Sequence, residues 1–156
     1  MHPRAMMKIH ATTVAIDQQG VLLSGPSGSG KSDLALRLIE AGATLISDDY
    51  TEVSLEQGRL MARPPLSIAG LMEVRGMGVV KVPFLHEIPL SLRCDLMTAS
   101  EIERLPEGPM TSEVDGFLLP TLPLDAMAAS APERVRFALK HLEGMTLGPD
   151  KEGLLK

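Results

Sequence analysis

The sequence predicts a single α/β domain, residues 1–156, with a mixed β-sheet and a phosphate-binding loop, and three observations carry that prediction. The pattern Gly25-x-x-x-x-Gly30-Lys31-Ser32 follows a short apolar run and opens a stretch of helical periodicity. Short β-branched runs bounded by Gly- and Asp-containing turns lie on both sides of it. The 156 residues, 44% hydrophobic and 22% charged, suffice to bury one core without disulfides or a structural metal.

The elements follow in order. Residues 8–16 (KIHATTVAI) are rich in β-branched side chains and end at Asp17-Gln18-Gln19-Gly20, after which residues 21–24 read as a buried strand. Two strands joined by so short a turn predict a hairpin. After the loop, residues 31–41 read as a helix with Leu34, Ala35, Leu38 and Ile39 on one face and Gly42 as its stop. Residues 44–47 form another apolar strand, ending on Asp48-Asp49. Strand, loop, helix and strand make a βαβ unit, expected to cross over right-handed into a parallel pair. Residues 51–55 and 59–63 flank Glu56-Gln57-Gly58 as a second hairpin, closed off by Pro64-Pro65. Residues 71–82 alternate loosely around Gly76 and Gly78, and residues 88–96 read as a further strand. Residues 101–108 are polar and read as a loop; residues 116–124, apolar with two prolines, read as an edge strand at most. Ser130-Ala131-Pro132-Glu133 has the form of a capping box opening a helix to about His141, with Val135, Ala138, Leu139 and Leu142 on one face. Beyond residue 144, and so over the tail 145–156, nothing signals order.

Composition excludes several classes. A net charge of −5 with no dense Lys/Arg run gives no field for nucleic-acid phosphates. The single cysteine, Cys94, can form no intrachain disulfide and lacks zinc-site spacing, so it reads as a core residue in a reducing compartment. No signal-type apolar core and no bilayer-length apolar run is present, which argues against a membrane and for the cytoplasm. Ten methionines against three Phe, one Tyr and no Trp describe a core filled by flexible thioethers, with no aromatic platform for stacked bases.

The chemistry-bearing residues centre on Gly25, Pro26, Ser27, Gly28, Ser29, Gly30, Lys31 and Ser32. In such a loop backbone N–H groups converge on polyphosphate oxygens, the lysine reaches the outer phosphates and the serine hydroxyl reaches Mg²⁺, so a nucleoside triphosphate such as ATP with Mg²⁺ is the expected ligand. Asp48 and Asp49 end the next strand, where phosphate-loop proteins place a carboxylate for the metal or for the attacking group. Strand neighbours point to opposite faces, so the two are expected to divide the work, one toward the metal and one toward the acceptor. Capping of the following turn is the competing reading. Glu73 and Arg75, two apart beside Gly-Met-Gly, suit a Mg²⁺–polyphosphate or, equally, a surface ion pair. His10 by itself reads as a half-buried strand histidine; His2, His86 and His141 show no partner spacing.

Two stretches, GPSGSGKSDLALRLIEAGATLISDDYTEV and LMEVRGMGVVKV, together resemble the catalytic domain of HPr kinase/phosphorylase, the bacterial enzyme that phosphorylates a serine of the phosphocarrier HPr. The resemblance runs from about His10 to Pro83, and the Glu-x-Arg-Gly-x-Gly segment is its discriminating part. It implies a fold related to phosphoenolpyruvate carboxykinase, ATP-dependent phosphorylation of a serine on an HPr-like protein, and a reverse reaction with inorganic phosphate that releases pyrophosphate. It further implies that Lys31 binds phosphate, that Ser32 and Glu73 hold Mg²⁺, that Asp49 accepts the serine proton and that His10 stands at the active-site histidine position; the reading of the residues themselves adds Asp48 on the metal side and Arg75 among the catalytic candidates. Relatives of that kind carry an N-terminal domain and assemble as homo-oligomers; here only a short stretch precedes His10, so a short form is implied. Their Arg-Pro-Gly-Arg-Asn segment, source of an active-site arginine, has no clear counterpart in LPLDAMAASAPERVRFALK, where Arg134 and Arg136 are the nearest substitutes. A small-molecule kinase or plain NTPase, and a nucleotide-sensing regulator without transfer, are the alternatives, since a phosphate loop is shared across many chemistries.

Overall fold

The computed structural model describes residues 6–142. The expected first strand is divided by a bend at His10 into β1 (Met7–Ile9) and β2 (Ala11–Ile16). The division has a topological cause: β1 pairs with β5 (Thr51–Glu56), whereas β2 pairs elsewhere, so the chain changes partners at His10. From β2 the chain turns back through Asp17 and Gln18, both at positive φ (48° and 65°), into β3 (Gln19–Ser24), the geometry of a two-residue hairpin turn.

Helix α1 (Lys31–Glu40) buries Leu34, Ala35 and Leu38, and β4 (Thr44–Ser47) follows. The βαβ unit forms, but its strands are not neighbours. β4 pairs antiparallel with β2, which itself pairs antiparallel with β3, so β3 and β4 run parallel with β2 between them. The hairpin takes the place beside β3 because a tight turn closes at lower entropic cost than a helical crossover.

Strand β5 forms the second expected hairpin with β6 (Arg59–Arg63), turning through Gln57 and Gly58. β7 (Leu71–Val74) and β8 (Gly78–Lys81) make a separate two-stranded hairpin. It is pinned by Met72, 1% exposed in the main core, and by the return of Phe84 and Leu85 alongside Leu45 of β4. β9 (Ile88–Leu96) is the hub of the mixed sheet: one flank runs parallel to β3, and the other pairs first with β6 and then, in parallel, with β11 (Phe117–Leu124). Ile88 and Leu90 enter one apolar cluster with Ala11, Leu22, Val53 and Leu119, while Leu92, Cys94 and Leu96 enter the other, beneath α1 and α3 (Ala131–Lys140).

Three expectations over 99–133 need correction. The polar stretch begins as α2 (Ala99–Glu103), because Thr98 and Glu101 close a capping box in which Thr98 Oγ1 accepts from the Glu101 N–H and the Glu101 carboxylate accepts from the Thr98 N–H. That contact holds the Glu101 carboxyl below its usual range. Strand β11 is not an edge. It lies between β9 and β10 (Met110–Val114), a strand the sequence reading missed. Its prolines are tolerated because Pro120 lies before the β9 ladder begins and Pro123 beyond the end of the β10 ladder, so each has a flank with no bond to lose. Finally, the box at Ser130 does not form: no side chain caps α3, and the Ser130 hydroxyl instead accepts from Arg134 Nε at 3.0 Å. The tail expectation falls outside the described residues. Among the described residues no helix is long and apolar enough to cross a membrane.

Cys94 is fully buried on β9, and burial pushes its thiol well above the usual range. Alkylation by iodoacetamide at pH 8 is therefore expected to follow unfolding, with rapid labelling in the presence of denaturant only; labelling of the native protein at the rate of a free thiol would place Cys94 at an accessible surface.

Candidate active site

The phosphate loop joins the end of β3 to the start of α1, where the orphan N–H groups of the first helical turn face an incoming anion. No side chain caps this helix. Glycine is required by geometry at two points. At Gly25 a Cβ would lie 2.7 Å from Ser29 Oγ and 3.0 Å from the Leu96 carbonyl oxygen; Gly30 has φ 97°, and its Cβ would meet Ala126 at 3.0 Å. Lys31 is 7% exposed, and its ammonium folds back over the loop to donate to the carbonyls of Gly25 (2.7 Å) and Pro26 (3.1 Å). Ser29 Oγ is buried without a hydrogen-bond partner, a donor left within the loop. Backbone donors at a helix N-terminus, an ammonium and an unused hydroxyl are together the groups that fit the phosphates of a nucleotide.

Asp48 and Asp49 do diverge, but not by strand alternation. Both lie just beyond β4, and Asp49 sits in the left-handed region at φ 71°. Asp48 is 6% exposed and turned inward. Its Oδ1 accepts from Ser32 Oγ (2.7 Å) and Thr12 Oγ1 (3.0 Å), and its Oδ2 accepts from the Glu73 N–H (3.0 Å). Asp49, in contrast, is open to solvent, with its Oδ1 2.9 Å from His10 Nε2. A carboxylate only accepts, so the imidazole Nε2–H donates in that bond. The ring is flanked by Tyr50 at 5.0 Å between centroids, whose own ring has Lys8 Nζ 6.0 Å away. His10 is thus an exposed member of this cluster rather than a half-buried strand residue, because it occupies the bend between β1 and β2.

The second motif reaches the site through its backbone. Glu73, on β7, touches Asp48 by its N–H, and its side chain is exposed; Arg75 lies past the end of β7 in the turn and is also exposed, so the two do not share a strand face as expected. Among the described residues no group of three or more His, Cys, Asp or Glu side chains could hold a metal unaided. The available set, the Asp48 carboxylate and the Ser32 hydroxyl at the mouth of the phosphate loop, is all oxygen. It fits Mg²⁺, which takes one or two carboxylates and completes its shell with water and substrate phosphates.

The candidate replacement arginines are placed differently. Arg136 donates to the Ala41 carbonyl at 2.8 Å, at the C-terminal end of α1; that helix, 10 residues long, spans about 15 Å from the loop to this point. Arg134 bonds Ser130 and lines a cavity of 420 Å³ with Phe137 and His141. Neither bonds a loop residue. Two contacts were missed from the sequence. Arg37 donates to the carbonyls of Ala126, Ala128 and Ala129 at 2.6, 2.9 and 3.3 Å, holding that segment against Gly30, and Thr12 bonds both aspartates. Arg37 looks like a solvated charge in the last helical turn. Thr12 looks like an ordinary β-former, although its alternation with Val14 and Ile16 puts a hydroxyl on the strand face beneath α1.

Residues 4–118 match the family model of the HPr Serine kinase C-terminal domain. The HPr kinase/phosphorylase of Clostridium tetani is 34% identical over 108 residues, 69% of this chain and 35% of that protein; that of Clostridium acetobutylicum is 40% identical over 79 residues, 51% and 26%. The chain therefore spans about a third or less of the length of these curated relatives. In fold it is similar to the Hpr(Ser) kinase/phosphatase from Coxiella burnetii, with a TM-score of 0.75 and 24% identity over 88% of this chain and 90% of that one. With the family model covering the β-sheet hub, the phosphate loop and both sequence anchors, the chain belongs to the HPr serine kinase C-terminal domain family.

Proposed function

We propose that this chain uses Mg²⁺–ATP to phosphorylate a serine hydroxyl of an HPr-like phosphocarrier protein in the cytoplasm. One observation carries the reading: two adjacent carboxylates at the phosphate loop, one bound inward to Ser32 and the other exposed and oriented by His10. In phosphoryl transfer most of the catalysis is positioning and charge neutralisation, which needs a metal-side carboxylate and a separate acceptor-side one.

The loop N–H groups and Lys31 hold the outer phosphates. Ser32, Asp48 and Glu73 are the residues that would hold Mg²⁺, which would supply neutralisation of the phosphate charge. Asp49 takes the proton of the incoming serine hydroxyl as its oxygen bonds to the γ-phosphorus and the bond to the β-phosphate oxygen breaks, releasing ADP. His10 fixes the Asp49 carboxylate, and Arg75, exposed in the turn after β7, would supply a further cation to the transferring phosphate. In phosphorolysis, an oxygen of inorganic phosphate bonds to the phosphoserine phosphorus while its proton passes to Asp49, and Asp49 delivers that proton to the serine oxygen as the serine O–P bond breaks, giving pyrophosphate and the free serine hydroxyl.

The test is incubation with γ-labelled ATP, a purified HPr-like protein and a mixture of small metabolites. Label on a protein serine is expected. Label on a metabolite, release as free phosphate alone, or no transfer despite nucleotide binding would each replace this reading.

A further inference from the structure

We infer that Thr12 is a positioning residue of this site, its single hydroxyl holding the metal-side and acceptor-side carboxylates in their divergent orientations. The inference rests on the phosphoryl-transfer reading above and adds to it a residue outside both sequence anchors.

Thr12 is wholly buried on β2. Its hydroxyl donates to Asp48 Oδ1 at 3.0 Å and accepts from the Asp49 N–H at 3.0 Å. A hydroxyl has one proton to give, and here it goes to a buried carboxylate, a stronger bond than one between neutral groups. The two bonds do different work. The first makes Thr12 one of three donors on Asp48, contributed by β2, α1 and β7, and so part of what sets the direction of that carboxylate toward the loop. The second anchors the peptide that enters Asp49, a non-glycine residue at φ 71°, where the backbone is sparsely populated and persists only when its surroundings hold it. That conformation sends the Asp49 side chain outward to His10.

Neighbouring threonines show what a purely structural hydroxyl does in this sheet. Thr13 and Thr51, both wholly buried, bond each other at 2.8 Å, and Thr51 donates to the Ala11 carbonyl at 2.9 Å. Both are satisfied without touching either aspartate, whereas Thr12 spends its donor and an acceptor on the pair.

The experiment compares Thr12→Val, Thr12→Ser and Thr13→Val in the full chain. Calorimetry gives ATP affinity with and without Mg²⁺, and steady-state kinetics give transfer to an HPr-like protein. Loss of a group that orients a metal-binding or catalytic side chain lowers affinity or activity by about 10- to 100-fold. Thr12→Val is expected to lose Mg²⁺-dependent ATP affinity and kcat in that range while its Mg²⁺-free ATP affinity stays within about twofold, the split expected when only the orienting group is lost. Thr12→Ser should restore both, and Thr13→Val should lower the melting temperature with Mg²⁺-dependent affinity and kcat unchanged. Should Thr12→Val not fold, Thr12→Cys, near in size with a weak donor, carries the same expectation.

Wild-type affinity and turnover in Thr12→Val, equal impairment of Thr12→Ser, or the same losses in Thr13→Val would overturn the inference and make Thr12 a packing residue. The affinity measurements keep it separate from the acceptor assignment. A wild-type protein that binds Mg²⁺–ATP but leaves the HPr-like serine unlabelled overturns that assignment alone, whereas absence of Mg²⁺-dependent ATP binding overturns both.

Discussion

Lys31→Ala is expected to weaken ATP binding by about ten- to a hundredfold, since a charge-assisted hydrogen bond contributes about 1.5–3 kcal/mol and each 1.4 kcal/mol is a factor of ten. Transfer should fall further, by about 10²-fold or more, because charge accumulates on the outer phosphate oxygens as the reaction proceeds and the ammonium is the loop's one point charge there. The protein should still fold. The ammonium bonds only the Gly25 and Pro26 carbonyls, which water can satisfy once the side chain is gone, and the apolar face of α1 is carried by Leu34, Ala35 and Leu38. Lys31→Arg is expected to fail as well, since a planar fork on a longer stem does not fit between those two carbonyls and the helix end. Nucleotide calorimetry and labelled transfer check both variants. Turnover near wild type in Lys31→Ala would take the loop out of the mechanism.

Local signals made much of this architecture legible. The Asp17–Gln18 and Gln57–Gly58 turns, the phosphate loop, α1 and β9 each depend on residues close in sequence, so their propensities and their final conformations agree. Strand order was less legible because it is decided by competition among distant segments. Nothing in residues 44–47 says that β2 will stand between β4 and β3. β10, with the polar alternation MTSEV, carries little apolar signal because one of its faces, with Thr111 and Glu113, is open to solvent and the other is only partly buried, and the prolines of β11 read as exclusion from the sheet interior until the staggered ends of the two ladders are known. At the site, the divergence of Asp48 and Asp49 was anticipated from strand alternation, but the structure achieves it by a left-handed residue beyond the strand end. A backbone conformation held by tertiary hydrogen bonds has no local sequence signature; Thr12, which provides one of them, is hidden for the same reason.

The roles proposed for the two carboxylates are separable by experiment because their environments differ so sharply. Asp49→Asn keeps the side-chain shape and an oxygen that can still accept from His10 Nε2, but it removes the proton acceptor. Since Asp49 is exposed and touches neither Ser32 nor Lys31, Mg²⁺–ATP affinity should stay within about threefold, while single-turnover transfer to the protein serine falls by about 10²-fold or more, the range for loss of a general base. Asp48→Asn is the converse. It puts an amide where Ser32, Thr12 and the Glu73 N–H all donate, so at least one buried donor loses its acceptor or meets another donor, and the metal-side charge is gone. Mg²⁺-dependent affinity, and stability with it, should drop first, with a smaller loss of single-turnover rate at saturating ATP. Calorimetric affinity and single-turnover phosphorylation, measured on both variants, therefore give opposite ratios of binding loss to rate loss. If Asp49→Asn loses ATP affinity and rate in equal proportion, Asp49 is a metal or structural residue and the acceptor proton must leave by another group.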